Sequence, residues 1–460
     1  MTPAGNRAAL GSEGTQITGG ATVQGTPEAG LLRRVRNSLS FMRGNLLVLT
    51  LTRSTGMFAR QMTFPYASLF ILALGGDPEQ VGLINSLAPL ASLLVFPIGG
   101  YLADHRGRVR LLGWTSIIMG ALYVLHAAAL SWEWLLVGAL LIGFGVISMP
   151  ANSALTADAL APSHRARGLA LSNFMSSAPA TAAPLVAAAV LTRWGVDPGM
   201  RYLYAFLGAS YALAGAVNLR LLTETTQPSG PPLRLRDVPA LLRGTYAGIL
   251  PLLQSLPRTT RGLGAMVILG FIGNVVAAPF WVLYATQVKG LSTEAWGTIL
   301  LVEAIVRDVG YLPAGYLVDR LGRVRSLRMA LVVALVAIPS FVFVRGFALS
   351  LMVRVTISLA CAVYIPAGSA LMADTVPRAL RGRTMAALGR GTVFLGSTGG
   401  GMGGPGLGYL VTVPAMLASL SGGYLYAANP VYPWVVSTIA LVACLAVSLV
   451  VLREHTQAEV

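Results

Sequence analysis

Seven ionisable residues lie inside stretches that are otherwise apolar: Arg53, Arg60, Glu303, Arg307, Asp308, Arg354 and Arg390. A charge in hydrocarbon is costly, so such residues pair with one another or serve the path of a substrate or ion. Arg53 and Arg60 are seven apart and share one face of a helix. Glu303 and Arg307 are four apart and can pair within their own helix. Asp308 is left as the carboxylate with the least obvious local partner.

Three kinds of chemistry are open to this set. Glu303 or Asp308 can carry a proton, because a carboxylate in a low dielectric holds its proton more tightly and can load and release it as its surroundings change. Arg60 and Arg53 can line a cavity and attract an anionic substrate. The charges, Arg354 among them, can instead form a salt-bridge network between helices that sets stability or gating. Arg53 lies near the end of its stretch and can snorkel to the membrane surface, which favours Arg60 for the substrate role. Of the aromatic residues Phe58, Phe64, Tyr66, Phe280, Trp281 and Tyr284, the last two are candidates to face a hydrophobic substrate; belt positions account for most membrane aromatics.

The elements that position these groups are membrane helices. Hydrophobic residues make up 55% of the 460 residues and charged ones 11%, with mean hydropathy +0.69. A soluble chain of this length needs more charge to cover its surface. Lipid offers no partner to bare backbone, so the apolar stretches must be helices of about 20 residues each. Twelve fit, at 45–74, 79–103, 109–130, 132–157, 168–192, 200–222, 262–288, 294–318, 326–345, 348–373, 384–427 and 431–452.

The net charge of +16 would suggest nucleic acid in a soluble chain. Here it follows topology. Arg33, Arg34, Arg36 and Arg43 precede the first span, and Arg106, Arg108 and Arg110 follow the second. Arg165 and Arg167 follow the fourth, Arg234, Arg236 and Arg243 lie in the middle loop, and Arg378, Arg381 and Arg383 follow the tenth. The alternate loops are short and poor in arginine: Gly75–Glu79, Ser131–Glu133 and Ala427–Pro430 have none. This positive-inside bias places both termini in the cytoplasm of a multi-pass protein of the inner or plasma membrane. No nucleic-acid partner is expected.

Nothing points to an enzyme. H-E-x-x-H, G-x-S-x-G and the P-loop are absent, as is any His or Cys cluster with metal spacing. No cofactor or metal is expected. Cys361 and Cys444 lie in apolar spans and read as packing residues. Without a P-loop, ATP-driven transport within this chain is excluded.

The chain also repeats itself. Gly100-Tyr-Leu-Ala-Asp104-His-Arg106-Gly107-Arg108-Val-Arg110 returns as Gly315-Tyr-Leu-Val-Asp319-Arg320-Leu-Gly322-Arg323-Val-Arg325. Pro150-Ala-Asn-Ser-Ala-Leu-Thr-Ala-Asp158 returns as Pro366-Ala-Gly-Ser-Ala-Leu-Met-Ala-Asp374, and Arg165-Ala-Arg167 as Arg381-Gly-Arg383. Repeats at half the chain length imply two related halves.

With these motifs the chain resembles the major facilitator superfamily, whose signature after the second span is G-x-x-x-D-[RK]-x-G-[RK]-x-[RK]. The second copy fits fully; the first has His105 at one basic position. The resemblance covers about residues 40–455. It implies an all-α fold of twelve transmembrane helices in two pseudo-symmetric six-helix bundles, rocking about a central cavity.

In the signature, Gly100 and Gly315 are expected to admit a close helix and Gly107 and Gly322 a tight turn. Asp104 and Asp319 are expected to face a helix N-terminus or pair with Arg110, Arg325, Arg165 or Arg381, forming a latch that closes the cytoplasmic side. Drug antiporters of the superfamily carry an arginine in the fourth span, where Ala139 stands here. Their fifth-span glycine–proline motif appears as Ala183-Pro184-Leu-Val-Ala187-Ala188.

Residues 1–40 read as a disordered tail, 41–222 as the first bundle, 223–260 as a linker with a basic amphipathic segment on the cytoplasmic face, 261–453 as the second bundle and 454–460 as a short tail. The eleventh span is too long and carries Gly399-Gly-Gly-Met-Gly-Gly-Pro405, which breaks a helix. That run is either a broken helix at membrane depth or an insertion outside it. The functional expectation is a monomeric secondary transporter in the lipid bilayer, exporting lipophilic small molecules against protons by alternating access. The alternatives are uptake of a nutrient or organic anion, and a non-transporting sensor on a carrier fold.

Overall fold

The computed structural model describes residues 43–160, 165–226, 233–377, 380–389, 392–399 and 408–452. The expected tails, Arg378 and Arg390 lie outside these residues, as do the side chains of Arg165, Arg167 and Arg381. The described chain is almost wholly helical. α1 is Asn45–Thr63, carried on by a 3-10 turn at Phe64–Tyr66 and by Ala67–Ala73. α2 is Pro78–His105, α3 Arg108–Ala127, α4 Trp132–Asp158, α5 Arg165–Trp194 and α6 Val196–Leu221. After the linker come α7 (Arg258–Val288), α8 (Thr293–Leu321), α9 (Arg323–Phe343) and α10 (Gly346–Thr375). A short helix Arg381–Leu388 precedes α11 (Tyr409–Ala428), and α12 is Tyr432–Val451.

Ten of these, among the described residues, are long and apolar enough to cross a membrane by composition alone. The two that fall short are α1 and α8, the helices that carry Arg53, Arg60, Glu303, Arg307 and Asp308. Their polarity is the charge set itself, so the same residues that suggest function depress the apolar signal.

The packing repeats between halves. α1 packs on α5 and α6, as α7 packs on α11 and α12. α3 packs on α6, as α9 packs on α12, and α2 on α4, as α8 on α10. The halves meet along two seams, α2 with α11 and α5 with α8. These seams are exchanged by the same pseudo-two-fold relation, which is what two copies of one bundle require.

Capping fixes where the chain turns. Asp77 and Gln80 form a capping box at the start of α2, with Pro78 at the first helical position. Ser292 accepts a bond from the Ala295 amide to start α8. Gly322, at φ 89°, makes the turn between α8 and α9, a conformation that glycine adopts without strain.

Candidate functional site

The arginine-bearing turns gather at one face, called the basic face below. There the signature behaves differently from expectation. Arg108 Nη1 lies 2.6 Å from Asp158 Oδ2, and Arg323 pairs with Asp374. Each pair joins the signature turn to the end of the fourth helix of its own half, so both sequence repeats meet in space. Asp104 and Asp319 are exposed, and no described residue pairs with them. In the first half the start of α3 is met instead by Glu224, which accepts the Val109 amide at 3.0 Å. Glu224 sits just past α6, where sequence alone gave no motif.

Two signature glycines also differ. Nothing lies within 4 Å of a Cβ placed on Gly100 or Gly315, so no helix approaches them in this state. The close approach is one residue earlier: a Cβ on Gly99 would lie 2.4 Å from the Ile147 carbonyl oxygen of α4. Gly107 has no left-handed φ; of the two turn glycines only Gly322 does. Arg110, Arg320 and Arg383 are exposed, and Arg325 lies at the same turn as Arg323.

The opposite face is closed. The Ser419 hydroxyl donates to the Gly82 carbonyl across the α2–α11 seam, at 3.3 Å. The Ser68 hydroxyl donates to the Pro279 carbonyl at 2.6 Å, joining α1 to α7. Between the halves, then, these backbone-to-side-chain contacts lie on the far face, while the ion pairs of the basic face stay within one half.

Inside the second half, Arg354 of α10 is fully buried at 0% exposure. Its Nε and Nη2 donate to Glu303 Oε2 of α8 at 2.9 and 2.5 Å. Its Nη1 donates to the Gly396 carbonyl at 2.8 Å, and its guanidinium lies 4.3 Å from the Trp281 ring centre. The expected Glu303–Arg307 pair is longer, at 4.0 Å. Glu303 therefore belongs first to Arg354, a partner 51 residues away that spacing cannot show.

Asp308 is placed otherwise. Its side chain is 45% exposed, with Arg307 Nε at 3.6 Å. Thr181 of α5 donates to its Oδ2 at 3.3 Å, across the other seam between halves. In the first half, Arg53 is exposed, and Arg60 is half-buried with its guanidinium 4.3 Å above the Phe64 ring. Trp281 and Tyr284 are 1% and 4% exposed. They pack with Phe341 and Trp434, with ring centres 4.6–5.5 Å apart for Trp281–Phe341, Trp281–Trp434 and Tyr284–Trp434. Neither is turned to an open surface; Trp281 instead forms the floor under Arg354.

Of the glycine-rich run only Gly399 is described, so the choice between a broken helix and an insertion lies outside the described residues; the segment that leads up to Gly399 enters the helix bundle. Leu388 packs against Gly264, Val393 against Gly270, and Gly399 donates its amide to the Ala278 carbonyl at 3.0 Å. The chain thus climbs along α7 from Gly264 to Ala278. At Gly408 it is back beside the Ala387 carbonyl, where α11 resumes. Asn274 holds the ascending part, accepting from the Ser397 amide at 3.0 Å and donating to its hydroxyl at 2.6 Å. Irregular backbone at membrane depth needs such partners. Gly399 also meets the Phe64 carbonyl of α1, in the other half, so the segment 392–399 touches both bundles. An amide side chain in the middle of an apolar span was the available signal for Asn274.

The comparisons with known proteins agree with this architecture. No curated protein matches the sequence. A bacterial homologue of the human lysosomal transporter Spinster, inward-facing and unoccupied, has a similar structure: TM-score 0.64, 17% identity, 90% of this chain and 98% of that one covered. A bacterial homologue of the iron transporter ferroportin, inward-facing, gives TM-score 0.61 at 17% identity, covering 91% and 98%. The human organic anion transporter MFSD10 gives TM-score 0.57 at 17% identity, covering 88% and 98%. The family model of the Major Facilitator Superfamily matches residues 49–401, ending inside the glycine-rich run. With that match, two seams and a repeated six-helix packing, the chain belongs to the Major Facilitator Superfamily of membrane transporters.

Proposed function

We propose that this protein exports lipophilic small molecules in exchange for protons, by alternating access, with its basic face in the cytoplasm of the cell membrane. The observation that carries the reading is the contrast between its two interior carboxylates. Glu303 is enclosed by Arg354 and Arg307, so its charge is balanced whichever way the halves lean. Asp308 is partly exposed and its Thr181 bond crosses the α5–α8 seam. Rocking of the halves must stretch or break that bond and change the access of water to Asp308. A carboxylate so placed takes a proton from one face and gives it to the other.

The lipophilic cargo is supported by Phe394, 52% exposed on the irregular run and near Arg307. A second reading, an organic-anion carrier, is favoured by the surplus of interior arginine among the described residues: Arg60, Arg307 and Arg354 against Glu303 and Asp308. The test is proton movement in proteoliposomes or everted vesicles holding an imposed pH gradient, on addition of lipophilic cations and organic anions. Collapse of the gradient by a lipophilic cation, lost in Asp308→Asn, supports exchange through Asp308. Collapse that survives Asp308→Asn removes that residue from the mechanism. Uptake of an organic anion without proton movement, lost in Arg60→Gln, establishes the second reading instead.

A further inference from the structure

Pro97 lies inside α2, four residues after Leu93. Proline has no amide hydrogen, so the Leu93 carbonyl has no helical donor. In a membrane span such a carbonyl must find another partner. It finds one outside its bundle: the hydroxyl of Tyr246, from the linker helix Val238–Ala247, donates to it. The Tyr246 ring also meets Tyr409, the first residue of α11, edge to face with centres 5.7 Å apart. One side chain of the connecting segment therefore touches both helices of the α2–α11 seam.

Its depth matters. Leu93 is twelve residues from His105, the basic-face end of α2, or about 18 Å along a helix axis. Tyr246 thus meets α2 well inside its length and α11 at its first residue. The next linker helix, Ile249–Ser255, buries Leu252, and Leu256 is buried just beyond it, which anchors the reach at its root. On the far face the same two helices touch at Gly82 and Ser419. For the basic face to close, α2 and α11 must approach there as well, and Tyr246 contacts both of them there.

We propose that Tyr246 is a wedge in the α2–α11 seam, its hydroxyl latched to the carbonyl that Pro97 leaves unpaired, holding the basic-face mouth open. Closing requires the hydroxyl to leave Leu93 and the linker helix to withdraw. The linker thus sets the balance between the two end states. This rests on the alternating-access reading, but its test needs neither cargo nor proton gradient, so failure of the wedge and failure of proton exchange are separately visible.

The experiment measures the distance across the mouth by pulsed electron paramagnetic resonance, with spin labels at Arg106→Cys and Met385→Cys and with Cys361 and Cys444 replaced by serine. Tyr246→Phe keeps the ring and loses the latch; the short-distance population should rise about three- to tenfold, as expected for one lost hydrogen bond. Tyr246→Ala, which also removes the ring, should raise it further. Pro97→Ala returns a helical amide to the Leu93 carbonyl, so in that background Tyr246→Phe should have no further effect. An unchanged distribution in Tyr246→Phe and Tyr246→Ala overturns the wedge. Equal effects of Tyr246→Phe with and without Pro97 overturn the pairing of hydroxyl and orphan carbonyl.

Discussion

Arg354 of α10 and Glu303 of α8 form a buried ion pair whose guanidinium also grips the Gly396 carbonyl. The pair thus joins two helices to the irregular run before α11. Each guanidinium nitrogen donates once, Nε and Nη2 to Glu303 and Nη1 to Gly396, and the Trp281 ring lies 4.3 Å from its centre. Breaking one partner leaves the other buried charge without its main counter-ion, which costs about 3–5 kcal/mol.

Arg354→Met and Glu303→Gln should therefore each lower the thermal midpoint in detergent, and Arg354→Met should lower it more, because it also frees the Gly396 carbonyl. Replacing both, as Arg354→Met with Glu303→Leu, should recover much of the loss. A double variant that loses the sum of the two single effects would show that the residues are not coupled. If Glu303 were instead the proton carrier, Glu303→Gln would abolish proton exchange at unchanged stability.

Much of this architecture was legible in the chain, for physical reasons. Apolar runs of span length force helices in lipid, and the copies at Gly100 and Gly315 force two related halves. Local spacing also pointed to Glu303 and Arg307, since residues four apart share a helix face. What stayed hidden depends on neighbours far along the chain. Arg354 reaches Glu303, Asn274 reaches Ser397, and Thr181 reaches Asp308 only once helices are packed. The signature does not show which carboxylate its arginines meet. Asp104 and Asp319 stand exposed, while Asp158 and Asp374 hold the arginines.

Lys289 is the single lysine among 33 basic side chains. It follows the π-helical turn Tyr284–Val288 that ends α7, with its ammonium 4.4 Å from the Phe341 ring centre and donating to the Val344 carbonyl. Burial lowers its pKa from the ordinary 10.5 to about 8. A base that burial makes reluctant to charge gives up its proton at lower pH. Acylation of Lys289 by acetic anhydride, read by peptide mass spectrometry, should therefore rise with a midpoint near pH 8. The unfolded chain holds the extra proton between about 8 and 10.5, so folding stability should also rise across that window. A labelling midpoint at the ordinary lysine value would show that the aromatic faces and the carbonyl offset the burial.

The far-face seam is built on glycines that have no room for a side chain. A Cβ on Gly423 would lie 2.7 Å from the Pro78 carbonyl oxygen and 3.0 Å from Glu79 Cα, both backbone atoms that cannot rotate away. Gly423→Val should therefore push α2 and α11 apart there, at a cost of about 1–3 kcal/mol to this state. The state open at the far face suffers no such clash, so the population should shift toward it by roughly five- to a hundredfold. Ser68 is buried at the same closure, bonded to Pro279 of the other half. A Ser68→Cys reporter should react slowly with a membrane-impermeant maleimide from the far face, and much faster when Gly423→Val is added. Transport should fall because one end state of the cycle is disfavoured, while the thermal midpoint changes little. Slow labelling in both proteins would mean that the seam yields elsewhere and that Gly423 does not set the closed state.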